Sequence, residues 1–181
     1  AAWVSGAMTA QVCALFCHYQ DEKGGVRPGV AAIVPLDLPG VSRGKPLDKL
    51  GLRGLNQGEL YFDNVEVPIS HLLAGPDKYA ELAYHMLCEA NPHVACVAVG
   101  VARAAFEQAW EYAHRRKQGG LPLIRHQHVR LRLFEMFRKV EAARALARRV
   151  MEYNATAARP SMLASTSAKV TATQAAFEVA S

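Results

Sequence analysis

The stretch LGLRGLNQGELYFDNVEVP, residues 50–68, marks the point at which the sequence changes from strand-like to helical. Turn residues fill its first half, whereas apolar and polar side chains alternate over residues 59–67. Alternation with a period of two is typical of a strand buried on one face, and Asp63 and Asn64 are expected to bend its register. Pro68 cannot donate to a ladder, so we expect the strand to end there.

The residues before this stretch predict a β hairpin. Residues 11–18 and 29–36 are mostly apolar runs, and the charged, glycine-containing segment 21–25 between them is typical of a turn. Residues 40–55 are rich in glycine and basic side chains and predict a loop. The first 75 residues therefore indicate a partial antiparallel β domain.

Beyond Gly75 the hydrophobic period becomes that of helices. We predict a first helix from residue 77 or 78 to 117, with Pro92 kinking it or marking a fresh start. A second helix is expected over 126–157, and a third from 159, with Pro160 in its first turn. The side chains of the first helix that are expected to be available for burial are Leu82, Met86, Val94, Val97, Val101, Ala105 and Tyr112. The apolar pattern of the third is carried by Met162, Leu163, Val170, Phe177 and Val179.

The predicted fold class is α+β, with a partial antiparallel β domain over residues 1–75 and a partial C-terminal antiparallel helical bundle over 76–181. The third helix stops in mid-pattern at Ser181 without a cap, which we interpret as truncation.

The composition is that of a globular protein, since 51% of the 181 residues are apolar. The sequence shows neither a secretory leader nor a long uninterrupted apolar run, and its four cysteines form no C-x-x-C pair. We therefore expect a reduced cytoplasmic protein without membrane association, whose cysteines pack rather than bind metal. The net charge of +5 comes largely from arginines in or beside the second helix. We interpret them mainly as a solvated helix face, with a phosphate-bearing cofactor as the alternative and nucleic acid as a minor one.

Spacing alone predicts no self-contained active site. The sequence has no nucleophile elbow and no glycine loop that opens a helix, and its seven histidines lack a metal spacing. His126 and His128 are two apart on a helix and should diverge. We expect no metal.

With its flanks, the stretch at 50–68 resembles the acyl-CoA dehydrogenase family, whose middle β domain closes with a similar G-x-R, a short polar loop and L-x-F-D-x-V-x-V-P before a helical domain. The matching residues are Gly51, Arg53, Leu60, Phe62, Asp63, Val65, Val67 and Pro68.

This resemblance implies FAD as the cofactor. Trp3 and Ser5 resemble the family's W-I-T, whose tryptophan lies against the flavin ring and whose hydroxyl hydrogen-bonds near its reactive nitrogen. Residues 116–120, RKQGG, resemble R-x-x-F-G, which implies that Arg116 reaches the pyrophosphate of a neighbouring subunit's FAD. Gln118 of the same motif and Gln127, which matches the glutamine that accompanies this site, are the other implied cofactor-binding residues. A homo-oligomer, dimer or tetramer, follows from that implication. Taken without the resemblance, Trp3 fits a buried aromatic residue, and Arg116 fits a helix-end cation.

Residues 91–100 resemble the family's R-x-x-V-A-A-x-A-V-G, with Asn91 at the arginine position. Some members place the catalytic glutamate one residue earlier, which is Ala90 here, and most place it in a segment that lies beyond Ser181. Glu89 is rotated by about a hundred degrees from that position, so it should not substitute, and the catalytic base remains unknown. The resemblance implies that Leu87, Ala90, Asn91 and Val94 line the acyl pocket; a plain helix-core role fits each equally well.

The activity implied by the resemblance is flavin-dependent α,β-dehydrogenation of an acyl-CoA thioester to the 2-enoyl-CoA, in fatty acid metabolism, with electrons passed to an electron-transfer flavoprotein. Two alternatives remain open. One is a flavin monooxygenase or oxidase of the same fold, which suits the departures at Asn91 and Gly119. The other is a non-catalytic, truncated assembly fragment.

Overall fold

The computed structural model describes the backbone of residues 1–181 and every side chain except those of Arg27 and Pro28. The chain divides into two compact units, Ala1–Leu82 and Ala83–Ser181. An antiparallel β region comes first and a helical region second, which confirms the predicted fold class. The domain boundary predicted at residue 75 stays a prediction.

The β unit contains two antiparallel sheets of three strands each. One has the order β1-β5-β4 and the other has the order β2-β3-β6. The predicted hairpin is confirmed, because β2 and β3 pair directly. The strands are β1 (Val4–Ser5), β2 (Val12–Gln20), β3 (Val26–Pro35), β4 (Val41–Pro46), β5 (Gln57–Phe62) and β6 (Leu72–Ala74).

Two strand predictions were wrong. The strand expected over 59–67 is β5, which covers Gln57–Phe62 and ends before Pro68. Asn64 has a φ of 50°, a left-handed conformation that asparagine tolerates better than most residues, and the chain turns there. The segment 40–55, expected to be a loop, contains β4, because its backbone pairs with β5 despite a sequence of low strand propensity.

The turn after β5 is held by close backbone contact with Gly40. The amide of Asp63 donates to the carbonyl of Gly40 at 2.9 Å. Gly40 has a φ of +86°, and a Cβ there would lie 2.1 Å from the Asp63 carbonyl oxygen. Only glycine fits this position without a shift of the backbone.

Three long helices follow: α1 (Pro76–Arg115), α2 (Gln127–Thr156) and α3 (Met162–Ala180). A short hairpin joins the first two, with strands β7 (Lys117–Gln118) and β8 (Leu121–Pro122). We had predicted Pro160 in the first turn of α3, but it precedes the helix, which begins at Met162. Ser161 is the N-cap, and its side chain accepts from the amide of Ala164 at 3.2 Å.

Alanine and valine side chains form the core of the helical unit. This corrects the prediction for α1, because Met86, Val94, Val97, Val101 and Tyr112 are exposed rather than buried. Small side chains let the helix axes approach closely, whereas the large ones face outward. The buried core residues are Ala95, Ala98, Val99, Ala102, Val140, Ala143, Ala147, Val150, Ala168, Ala172, Ala175, Ala176 and Val179.

Pro92 lies inside α1, which runs unbroken from Pro76 to Arg115, so it does not mark a fresh start; the expected kink stays a prediction. Proline has no amide hydrogen, so the carbonyl four residues earlier, that of Cys88, loses its helical partner. That carbonyl instead accepts from Asn154 Nδ2 of α2 and from Ser165 Oγ of α3, each at 2.9 Å. The freed acceptor thereby ties the three helices together.

Candidate cofactor and substrate residues

Trp3 and Ser5 lie at the edge of the first sheet of the β unit. Ser5 pairs with Gln57 of β5, and its Oγ accepts from Gln57 Nε2 at 3.0 Å. Trp3 has a φ of 60° and is 65% exposed, so it is not the buried aromatic residue that packing alone favours. A left-handed backbone is unfavourable for a bulky residue and is often found at functional sites. An exposed indole beside a fixed hydroxyl suits contact with a planar ring.

Arg116 lies directly after α1, at the start of the hairpin. Its carbonyl accepts from the amide of Leu123 at 2.8 Å, which closes the hairpin. Its guanidinium is exposed, and none of the side chains that the structure describes forms an ion pair with it. Its neighbour Arg115 differs, since it pairs with Glu111 at 3.5 Å. Arg116 therefore keeps its planar set of donors available for an anion.

The hairpin brings Arg116, Gln118 and Gln127 into one local structure within the helical unit. His126, which spacing did not single out for a role here, is responsible: its Nε2 lies 3.1 Å from the carbonyl oxygen of Gln118. The same histidine is the N-cap of α2, and Gln127 begins that helix. A histidine eight residues beyond a turn glutamine carries no recognisable sequence signal, so its role emerges only from the structure.

The predicted acyl-pocket residues share one face of α1, because their spacing follows the helical period. Leu87 and Val94 are 51% and 45% exposed, and Asn91 is half-buried. None of the four residues Leu87, Ala90, Asn91 and Val94 lines the cavity of about 360 Å³ beside this part of α1. Their roles stay predictions, and the helix-core alternative does not suit the three exposed residues Leu87, Ala90 and Val94.

Glu89 lines that cavity, together with His85 and His93 of the same helix and Asn154 of α2. His93 Nδ1 lies 2.6 Å from the Glu89 carbonyl oxygen, which fixes the imidazole ring along the helix. Ala90, one residue on, does not line the cavity. Glu89 and residue 90, where some family members carry the catalytic glutamate, thus lie on different faces of the helix, as the helical rotation predicts.

Part of the basic charge on α2 is neutralised by neighbouring carboxylates. Glu135 accepts from Arg138 at 2.6 Å, and this hydrogen bond lowers the pKa of the carboxyl group. Lys139 reaches Glu178 of α3 at 2.5 Å, and Arg144 contacts Glu141.

Among the side chains that the structure describes, no three His, Cys, Asp or Glu residues converge to hold a metal ion. In the same part of the chain no helix is both long and apolar enough to cross a bilayer.

The antiparallel β region followed by a helical bundle defines a protein of the α+β class. The hairpin between its first two helices carries Arg116, whose guanidinium forms no ion pair with the described side chains. Residues 2–65 match the family model for the acyl-CoA dehydrogenase middle domain, and residues 81–181 match the model for the acyl-CoA dehydrogenase C-terminal domain. The chain belongs to the acyl-CoA dehydrogenase family.

Relatives with assigned names include a probable acyl-CoA dehydrogenase of Bacillus subtilis, 33% identical over 144 residues, which cover 80% of this chain and 38% of that protein. A glutaryl-CoA dehydrogenase of Desulfococcus multivorans is 35% identical over 87% of this chain and 39% of its own length. The structure of butyryl-CoA dehydrogenase from Megasphaera elsdenii superimposes with a TM-score of 0.89 at 29% identity, covering 98% of this chain and 46% of that one. The chain thus spans less than half the length of these relatives.

Proposed function

We propose that this chain supplies part of the FAD site of an acyl-CoA dehydrogenase that converts an acyl-CoA thioester to its 2-enoyl-CoA. The observation that carries the proposal is the exposed, unpaired Arg116 on a hairpin pinned by His126, in a chain that matches both domain models. The relatives named for glutaryl-CoA and butyryl-CoA support a thioester substrate.

The hairpin residues fit a cofactor that carries phosphate. In this proposal Arg116 holds the pyrophosphate of FAD through two guanidinium donors, while Gln118 and Gln127 add neutral hydrogen bonds. Because His126 fixes the Gln118 carbonyl, the hairpin loses little conformational freedom on binding. In the family's R-x-x-F-G motif, which these hairpin residues resemble, the arginine reaches the FAD of a neighbouring subunit. We therefore propose that the active protein is a homo-oligomer.

Trp3 and Ser5 fit the flavin end of an FAD. The exposed indole of Trp3 would lie against the flavin ring, and Ser5, whose Oγ is oriented by Gln57, would offer its hydroxyl to the ring edge. Bound FAD supplies the acceptor for the hydrogen removed from the β carbon of the substrate. An electron-transfer flavoprotein is the proposed next acceptor. Leu87, Ala90, Asn91 and Val94 are the residues that we propose for the acyl pocket.

The direct test is the absorption spectrum of the purified 181-residue chain after incubation with FAD and desalting. We expect retained flavin bands, and we expect butyryl-CoA to bleach them anaerobically only where a catalytic base is present. Full-length protein encoded by the same gene serves as the comparison. Loss of all flavin from both proteins would overturn the proposal, and retained flavin that reacts rapidly with oxygen would favour the oxidase alternative.

A matched pair of variants isolates the role of Arg116. Arg116→Ala removes charged hydrogen bonds worth roughly 1.5–3 kcal/mol, so we expect the Kd for FAD to rise roughly tenfold to a hundredfold. Arg115→Ala removes a neighbouring exposed charge that is already paired with Glu111, and should leave the Kd unchanged. Titration followed by flavin fluorescence measures both, and equal losses in the two variants would exclude a specific contact.

A further inference from the structure

Two sulfur-containing side chains meet between α1 and α2. The thiol of Cys96 donates to the thioether of Met151, and the two sulfur atoms lie 3.3 Å apart. Cys96 is exposed and Met151 is half-buried, so the pair lies outside the alanine and valine core. Fifty-five residues separate the two in the sequence, which is why spacing gave no sign of them. A thiol in contact with a thioether is a pair of soft, polarizable donors.

His93 adds a nitrogen donor on the same side of α1 as Cys96. Residues three apart are neighbours on a helix surface, with Cβ atoms about 5–6 Å apart. His93 and Met151 also line the same cavity of about 360 Å³ between the two helices. An imidazole, a thiol and a thioether therefore converge from two helices.

The ring of His93 is held in the orientation that a metal ligand needs. Its Nδ1 lies 2.6 Å from the carbonyl oxygen of Glu89. A carbonyl oxygen can only accept, so Nδ1 carries the hydrogen, and Nε2 of the neutral ring keeps its lone pair. Histidines that bind metal ions usually donate their other ring N–H to such an acceptor, which fixes the tautomer. His93 is thus prepared to bind a cation through Nε2.

We propose that His93, Cys96 and Met151 form a binding site for a soft monovalent metal ion, Cu(I). Thiolate and thioether ligands select Cu(I), which accepts a low coordination number. Zn(II) instead takes thiolate, imidazole and carboxylate ligands, almost always in a four-coordinate site. Among the side chains that the structure describes, no further His, Cys, Asp or Glu joins His93 and Cys96, so the ligand set that zinc requires is incomplete.

Binding at this site exchanges a proton for the ion and involves no change of oxidation state. The Cys96 thiol releases its proton to solvent as its sulfur bonds to Cu(I), while Nε2 and the thioether donate lone pairs. The unbranched side chain of Met151 can rotate to direct its sulfur at the ion. The inference goes beyond the proposed function. By the helical period, His93 and Cys96 lie on the side of α1 opposite Leu87 and Val94, and the site needs neither flavin nor acyl-CoA.

Oxygen-free titration of the 181-residue chain with Cu(I), in competition with the chromogenic chelator bathocuproine disulfonate, tests the site. We expect the chain to retain a single Cu(I) ion. Cys96→Ser, Met151→Leu and His93→Ala should each raise the Kd by at least about tenfold, because each removes one ligand. The chain should prefer Cu(I) to Zn(II). Circular dichroism at 222 nm confirms that the variants fold.

Matched controls change the same residue types away from the site. Cys17→Ser removes another exposed thiol, and Met86→Leu another exposed methionine of α1. His114→Ala removes a ring that makes the same hydrogen bond, to the Trp110 carbonyl at 2.8 Å, at an end of α1 that carries no cysteine. All three controls should keep the Kd for Cu(I) of the unchanged chain.

A second measurement reports on Met151 directly. In a chain with ¹³C-labelled methionine methyl groups, Ag(I), a soft monovalent ion that stays in one oxidation state, should shift the Met151 signal among those of the five methionines. Loss of all Cu(I) to the chelator, an unchanged Kd in Cys96→Ser or Met151→Leu, equal losses in the controls, or a preference for Zn(II) would overturn the inference. Flavin content, measured separately, reports on the proposed function alone.

Discussion

Gly40 is the residue on which the close approach between β4 and the end of β5 depends. Gly40→Ala would force a Cβ against the Asp63 carbonyl in a left-handed backbone, so we expect a loss of about 2 kcal/mol or more in the free energy of unfolding. Gly54→Ala is the control, since no atom lies within 4 Å of its added Cβ. Urea denaturation of both variants measures the difference. A Gly40→Ala chain as stable as the Gly54→Ala chain would show that the turn relaxes.

The four free cysteines should differ in their reactivity toward iodoacetamide. Cys17 and Cys96 are exposed, whereas Cys88 is fully buried and Cys13 is half-buried. Burial also raises the pKa of the Cys13 thiol, so less thiolate is present near pH 8 and alkylation is slower. Peptide mass spectrometry over time should find Cys17 and Cys96 modified first and Cys88 modified only after unfolding. Equal rates in denaturant would provide the control, and early labelling of Cys88 would contradict the packing.

At the residue scale the sequence indicated which residue types carry the chemistry but not their conformations. The motif match singled out Trp3 and Arg116, whereas the left-handed backbone of Trp3 and the free guanidinium of Arg116 depend on neighbours that a motif does not name. The cysteines show the same limit. All four were expected to pack, but only Cys88 is fully buried, because a residue's burial depends on which face of its element meets the core.

Asn154 of helix α2 connects this helix to α1 and to the start of α3 through three hydrogen bonds. Its Nδ2 donates to the Cys88 carbonyl and to Ser165 Oγ, and its Oδ1 accepts from the Ser161 amide at 3.0 Å. Asn154→Ala should therefore lower the free energy of unfolding by about 2–3 kcal/mol, and Ser165→Ala by about 1 kcal/mol.

Helix unfolding followed at 222 nm in urea measures both losses. Glu152→Ala, an exposed change two residues away on α2, should alter the midpoint little. The double variant should lose less than the sum of the single losses, because the two side chains share one acceptor and one mutual bond. Strict additivity would contradict a connected network.

The sequence predicted where the helices begin and end much better than it predicted which of their faces are buried. The predicted limits of α2, residues 126 and 157, each lie one residue from the observed ends, whereas the core of α1 is formed largely by alanines that a search for large apolar side chains passes over. Strand β4 was missed for a related reason. Its sequence, VSRGKP, has little strand character, and it becomes a strand because β5 offers backbone partners.

At the scale of the whole chain, each unit has its own core, so we expect two separable unfolding transitions. Leu60→Ala should lower the midpoint of the β unit by removing a buried side chain, at a cost of about 2–5 kcal/mol. Val150→Ala should act on the helical unit alone. Trp3 fluorescence in a Trp110→Phe background reports on the first unit, and circular dichroism at 222 nm reports on the second. Parallel shifts of both probes in both variants would indicate a single cooperative unit instead.

The proline within α1 also has a consequence for inheritance. A relative with an ordinary amide at position 92 satisfies the Cys88 carbonyl within its own helix, and its equivalents of Asn154 and Ser165 are then released from that acceptor. Substitutions at these three sites, which lie far apart along the gene, should therefore accumulate together across lineages rather than independently. Position 92 would record which lineages depend on a link between helices and which do not.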